Sequence, residues 1–257
     1  MDGVWGAVMS LRIFEELPTD SGEAIIDKIR RAIRLGVLPP GTPLVQEKLA
    51  KMLNLSRVPV REALLALATE GMVTFQAGGG ARVTMLSVDE IEELYSLRLL
   101  LDTEMSKVIT KQVTETDLGA LRALVTAMSS YEEEVKHRDW SEANFNFHVG
   151  LYRASRMPHF ERIASQVLNL TETYSRLFVF ELGGLHESQM EHTEMLEAME
   201  AKDDVELARL LTKHSSRARQ GLIQYASRVL PSSTTDVELA AFAKETTSQS
   251  SDGLEIE

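Results

Sequence analysis

The chain has 257 residues, 27 Lys+Arg against 39 Asp+Glu, a net charge of −12 and no cysteine. This length suits two domains, and the lack of thiols excludes a disulfide framework and any thiolate metal site. No apolar run approaches the roughly 20 residues of a membrane span, and Met1 to Ser10 lacks the basic start and long apolar core of a secretory signal; a cytoplasmic, non-membrane protein is expected, with Met1 or Met9 as its start.

Residues 1–20 read as an arm. Ser21 can cap a helix that runs to Leu35, with Ala24, Ile25, Ile29, Ala32 and Ile33 inward. Arg30, Arg31 and Arg34 fall outward, where they could touch phosphates, with a solvated face the favoured reading. Gly36 to Thr42 is a turn-rich break. Val45 to Leu53 reads as a short helix with Leu49, Ala50 and Leu53 inward, and Asn54-Leu55 makes a tight turn after it.

The next helix organises the chain. Ser56 is a good N-cap, because its hydroxyl can accept a first-turn N–H. Pro59 falls where a missing N–H costs little, and Gly71 tolerates the left-handed C′ conformation. Val60, Ala63, Leu64 and Leu67 share the buried stripe, while Arg57, Val58 and Arg61 lie off it. Arginine bonds guanine edges or phosphates, and a methyl group packs on thymine, so this surface suits a DNA major groove. An ordinary amphipathic helix with solvated arginines has the same pattern. The neighbours favour DNA: helix, short turn and arginine-bearing helix make a helix-turn-helix. Two β-like runs then follow, Met72 to Phe75 and Ala81 to Thr84, joined by a glycine-rich tip, which reads as a wing.

Charge agrees with this placement. Residues 21–86 hold 9 basic and 5 acidic side chains, a net of +4, whereas residues 87–257 hold 17 and 30, a net of −13. The basic surplus lies where phosphates would be met.

These residues resemble the GntR family of bacterial transcription regulators. The resemblance rests on Gly36-Val37-Leu38-Pro39-Pro40-Gly41, Leu49-Ala50, Ser56 through Leu64, and Glu70-Gly71-Met72-Val73. It implies a DNA-binding domain over residues 21–86, with contacts from Ser56, Arg57, Val58, Pro59 and Arg61 and from a wing carrying Gly78, Gly79 and Arg82. Two departures stand out. Val58 replaces a usual threonine, so a hydroxyl contact is lost. The wing tip has no basic residue before Arg82.

After Leu86 the chain is helical. Ser87 and Glu90 form a capping box opening a helix from Asp89 to about Ile109, with Ile91, Leu94, Leu97, Leu101 and Met105 on one side. Further helices are expected from Thr114/Asp117 to about His137, Asp139 to about Ser155, His159 to Phe180, Glu187 to Ala201 and Asp204 to Arg228, with Pro231 as the stop. Six helices with short joints over residues 87–230 make an antiparallel bundle. Residues 231–257 hold one lysine against six acids and read as an acidic disordered tail. The fold class expected is mainly α, a winged helix-turn-helix followed by a six-helix bundle.

Asn144 and His148 are four apart, hence on one helix face. His192 precedes the Lys202-Asp203 joint by about ten residues, roughly 15 Å, and His214 follows it by about twelve, roughly 18 Å. In an antiparallel hairpin they stand at similar height. Three imidazoles and an amide oxygen can then converge, a set that suits zinc, nickel or a similar divalent ion. Three separate histidines, each with its own hydrogen bond, satisfy the same spacing.

Glu93 through Arg98, Phe147-His148, Glu191-His192 and His214 resemble the FCD effector domain of the FadR-type branch, and the six helices resemble its VanR-type subgroup. The resemblance implies a metal held by Asn144, His148, His192 and His214, with Arg98 facing an effector carboxylate. Asn144 stands where aspartate is usual, so metal affinity is expected to be lower and Asn144→Asp to raise it. The function expected is a homodimeric, ligand-responsive regulator, a repressor, that binds a pseudo-palindromic operator and senses a small carboxylate. A helical metalloenzyme built on His148, His192 and His214, and a metal-free sensor, are the alternatives.

Overall fold

The computed structural model describes residues 22–76, 80–133 and 136–229. The expected arm at 1–20, the cap at Ser21, wing residues Gly78 and Gly79, and the tail at 231–257 lie outside the described residues. Two compact units emerge, one within Met1–Leu86 and the other Ser87–Ala226.

The first unit is built from α1 (Gly22–Arg34), β1 (Pro43–Leu44), α2 (Gln46–Leu53), α3 (Arg57–Thr69), β2 (Val73–Phe75) and β3 (Ala81–Val83). Its core takes Ile25, Ile29 and Ile33 from α1, Leu49 and Leu53 from α2, and Val60, Leu64 and Leu67 from α3. The α2–α3 turn has a specific cause. Asn54 sits in the left-handed region (φ 56°), Leu55 N–H donates to Ala50 O, and Asn54 N–H donates to Lys51 O. That is a Schellman stop, which asparagine tolerates better than most residues. Gly71 (φ 78°) ends α3 in the same way, with Met72 N–H on Leu67 O and Gly71 N–H on Ala68 O.

Three features differ from expectation here. Pro43-Leu44, left unassigned between the break and the helix, is a strand: it pairs antiparallel with β3, giving the order β1-β3-β2. Two residues are too few for periodicity to show. Arg34 is buried, and Arg30 is half-buried in a two-pronged ion pair with Glu70 (2.7 and 2.9 Å) that ties α1 to the end of α3. These arginines therefore serve the packing of α1 rather than a solvated face. Ser56 holds the N-cap position with extended backbone, yet its side chain makes no capping bond.

The second unit comprises α4 (Val88–Gln112), α5 (Glu115–Glu133), α6 (His137–Ala154), α7 (Pro158–Glu181), α8 (Leu185–Glu200) and α9 (Asp204–Val229). The capping box opening α4 is present: Ser87 N–H donates to Glu90 Oε2 (2.8 Å), and Glu90 N–H to Ser87 Oγ (3.3 Å). Thr114 and Asp117 repeat the arrangement before α5. Helix α4 packs against α6, α7 and α8, and α5 lies along α6 and α8.

The inward face of α4 differs from the expected leucine stripe. Ile91, Tyr95, Arg98, Asp102, Met105, Ser106 and Ile109 are buried, Leu94 and Leu101 are half-buried, and Leu97 is exposed. The middle of the bundle is polar here, so α4 turns Arg98 and Asp102 inward and leaves Leu97 and Leu100 outside.

Candidate functional site

In the second unit, His148 (α6), His192 (α8) and His214 (α9) converge. All three are buried, and one ring nitrogen from each lies within 4.8 Å of the others. Ring centroids are 4.9–5.3 Å apart. Phe147 and Trp140 wall His192 on its other side, at 4.9 and 6.0 Å.

Electrostatics keeps these rings neutral. Burial, then Arg98 and the other two histidines, hold His148 well below the usual imidazole range. Burial, then His214 and Arg98, do the same for His192. For His214, burial again dominates and a hydrogen bond to Glu191 opposes it. Neutral imidazole is the form that ligates metal.

Each histidine has different surroundings. His214 Nδ1–H donates to Glu191 Oε2 at 2.9 Å, which leaves Nε2 as a lone-pair donor. Glu191 is itself held by Arg217 (2.6 Å) and Lys213 (3.5 Å). Arg98 Nη2 lies 3.3 and 3.4 Å from the two ring nitrogens of His148. Among the described residues neither ring nitrogen of His192 has a partner, although the residue is 0% exposed. A buried polar pair without partners costs free energy unless something binds it. An ion accepting a lone pair there, with His148 and His214 beside it, fits the residues present.

Asn144 is one turn before His148 and buried, and its Nδ2 donates to Glu172 Oε1 (3.4 Å) from α7. Arg98 sits 3.6 Å from Asp102, one turn along α4, and Ser215 Oγ donates to Asp102 (3.1 Å). Burial raises the Asp102 carboxyl, against the lowering effect of Arg98. Sequence reasoning brought together the three histidines, Asn144 and Arg98. It missed Asp102 and Glu172 and gave Glu191 no place beside His214. Arg98 and Asp102 do stand at the i,i+4 spacing of an ion pair.

In the first unit, Arg57, Val58 and Arg61 are exposed on the first turns of α3, with Val58 at 66% and Ser56 exposed beside them. Pro59 is half-buried in the first turn. Arg82 is partly engaged: its Nε donates to Gln76 Oε1 (3.0 Å) and its Nη1 to Gly41 O (3.1 Å). The bond to Gly41 fastens the hairpin to the turn before β1, and the bond to Gln76 stays within the hairpin.

Comparison with known proteins agrees with both units. Residues 21–83 match the model of bacterial regulatory proteins of the gntR family, and residues 93–217 match the FCD domain. The HTH-type transcriptional repressor RspR of Escherichia coli is 23% identical over 199 residues, covering 76% of this chain and 86% of that protein. An HTH-type regulator of Agrobacterium vitis, from the TAR-I ttuE-ttuC' intergenic region, is 32% identical over 126 residues, covering 48% of this chain and 74% of its own. The solved structure of E. coli McbR/YncC superposes with a TM-score of 0.73 at 22% identity, over 80% of this chain and 98% of that one. The matched gntR family model and the curated relatives are those of transcriptional regulators, so the metalloenzyme alternative falls away. The chain belongs to the GntR family of bacterial regulatory proteins, as a DNA-binding transcriptional regulator with an FCD domain.

Proposed function

We propose that this regulator senses a small organic acid through a divalent metal, zinc or nickel, held by His148, His192 and His214 with help from Asn144. The observation that carries the reading is the convergence of three buried imidazoles, with both His192 nitrogens unpartnered among the described residues. The metal supplies a Lewis-acidic centre for an effector carboxylate. Arg98 reaches the same ring cluster from α4 and supplies a charge-assisted donor for that carboxylate. Burial opposes its charge, but its neighbours, Tyr152 and Asp102 foremost, outweigh that and keep it protonated.

The DNA-binding surface is Ser56, Arg57, Val58, Pro59 and Arg61 on α3, with Gly78, Gly79 and Arg82 of the wing. Residues 21–86 form the reading domain and 87–230 the effector and dimerisation domain. The protein works as a cytoplasmic homodimer and represses from a pseudo-palindromic operator. Exposed Leu97 and Leu100 on α4 support self-association of the bundle. No described helix is long and apolar enough to cross a membrane. Six helices in this unit support placement near the VanR-type subgroup. Effector binding biases the placement of the two reading heads, which changes operator affinity.

The test is elemental analysis of the purified protein, followed by calorimetry with small carboxylic acids with and without chelator. One metal per chain and acid binding only in the loaded form are expected. A protein that stays metal-free after dialysis against zinc and nickel overturns the metal reading.

A further inference from the structure

The reading of a metal at the three histidines leaves one anomaly, the neutral Asn144. A carboxylate is nevertheless present beside it. Glu172, on α7, is 2% exposed and accepts the Asn144 Nδ2–H at 3.4 Å. Arg176, one turn further along α7, acts on Glu172 as a nearby positive charge, and so does Arg98 from α4.

We infer that Glu172 is the positioning residue of the metal site, fixing which way round the Asn144 amide points. The Asn144 Nδ2–H donates to Glu172 Oε1, so the NH₂ end of the amide faces the carboxyl group. The amide oxygen then points away from Glu172, and the helix places it on the face that carries His148 one turn later. A side chain with two interchangeable-looking ends is thereby turned into a defined oxygen donor. The negative charge expected on the metal itself is set one residue back, behind the amide. Outer carboxylates of this kind orient ligands and strengthen them as donors.

This pairing reverses an expectation from sequence. Asn144→Asp places a second carboxylate against Glu172, within about 3.4 Å. Two carboxylates that close cannot both ionise readily. The substitution therefore removes a hydrogen bond and adds repulsion, and it does not tighten metal binding. Exchanging both residues restores a compatible pair: in Asn144→Asp/Glu172→Gln the carboxylate faces the histidines and the amide stands behind it.

The inference rests on the metal reading, and the experiment separates the two. Zinc and cobalt(II) affinities of the full chain are measured by calorimetry and by the cobalt absorption bands, for wild type, Glu172→Gln, Asn144→Asp and the double variant. Thermal unfolding of each metal-free protein reports folding. Glu172→Gln can donate as well as accept, so the Asn144 amide is free to turn. A loss of roughly ten- to a hundredfold in affinity is expected. Asn144→Asp is expected to bind no tighter than wild type, and the double variant at least tenfold tighter than Glu172→Gln. A merely structural Glu172 gives additive effects and no recovery in the double variant. Wild-type binding with Glu172→Gln unchanged, or Asn144→Asp tighter on its own, overturns the inference and leaves the metal reading standing. No metal on the wild type overturns both.

Discussion

The Glu191 carboxylate accepts a hydrogen bond from His214 Nδ1 at 2.9 Å while the residue next to Glu191, His192, has neither ring nitrogen partnered among the described residues. One turn of α8 thus supplies a candidate ligand and the orienting group of a ligand on α9. Glu191→Gln removes the charge that fixes the His214 tautomer with Nε2 free. Metal affinity is expected to fall by about ten- to a hundredfold, with the fold retained. Calorimetry with zinc, alongside circular dichroism of the metal-free protein, checks it. Unchanged affinity would show that His214 does not ligate through Nε2.

Arg57 and Arg61 are exposed on the first turns of α3, whereas Arg30 is tied to Glu70 within the unit. Free guanidinium groups are the ones available to bases and phosphates. Arg61→Ala is expected to weaken operator binding by about 1–3 kcal/mol if it bonds a base in bidentate fashion, and Arg57→Ala to weaken it as well. Mobility shifts at fixed salt test both variants. Wild-type affinity in both, with intact folding, removes α3 as the reading helix.

The buried imidazoles also set a pH dependence for the metal-free protein. Burial first, then Arg98 from α4 and the neighbouring histidines, lower His148 and His192 in the folded state. Unfolded, each has a value of about 6.5. Below that value the unfolded chain binds protons that the folded chain does not, so stability is full above about pH 6.5 and is lost as pH falls beneath it. Glu191 opposes this at His214 without reversing it. Asp102, raised by burial, contributes with the other sign from the ordinary aspartate range upward. The discriminating comparison is therefore between slopes: stability from urea melts in chelator should fall between pH 7.5 and 5.5, and less steeply in His192→Gln. Equal slopes would mean His192 is not held neutral.

Much of this was legible in the chain, for identifiable reasons. The α2–α3 turn declares itself through Asn54, Ser56 and Pro59, and the capping box at Ser87/Glu90 marks the start of the bundle. His192 and His214 could be brought to one height from rise per residue, whereas His148 joined them only through the resemblance to the FCD domain. What escaped depended on which face of a helix looks inward. On α4 the apolar periodicity pointed to Leu94, Leu97 and Leu101, yet the polar centre draws Arg98 and Asp102 inside. Hydrophobic pattern reports a buried face only where the interior is apolar. Glu172 was invisible because its meaning lies in a contact across α6 and α7, and no local spacing links it to Asn144.

A last prediction concerns Phe178, whose ring on α7 is confined by two glycines. A Cβ on Gly184 would lie 2.4 Å from Phe178 Cε1, and one on Gly221 would lie 2.6 Å from Cδ2. The ring cannot retreat from one without meeting the other. Gly221 is inside α9, where alanine is intrinsically favoured over glycine by up to about 1 kcal/mol. Overpacking a confined ring costs about 1–3 kcal/mol, so the clash outweighs the propensity and Gly221→Ala should destabilise. Gly119 on α5 is the control: a Cβ there meets nothing within 4 Å, and Gly119→Ala should stabilise by about 0.5–1 kcal/mol. Phe178 also lies 5.5 Å beneath the Arg217 guanidinium, which holds Glu191 at 2.6 Å. Displacing the ring should therefore reach the metal site, lowering zinc affinity in Gly221→Ala but not in Gly119→Ala. Urea unfolding and zinc calorimetry on both variants decide it, and a Gly221→Ala protein as stable as wild type would refute the confinement of Phe178.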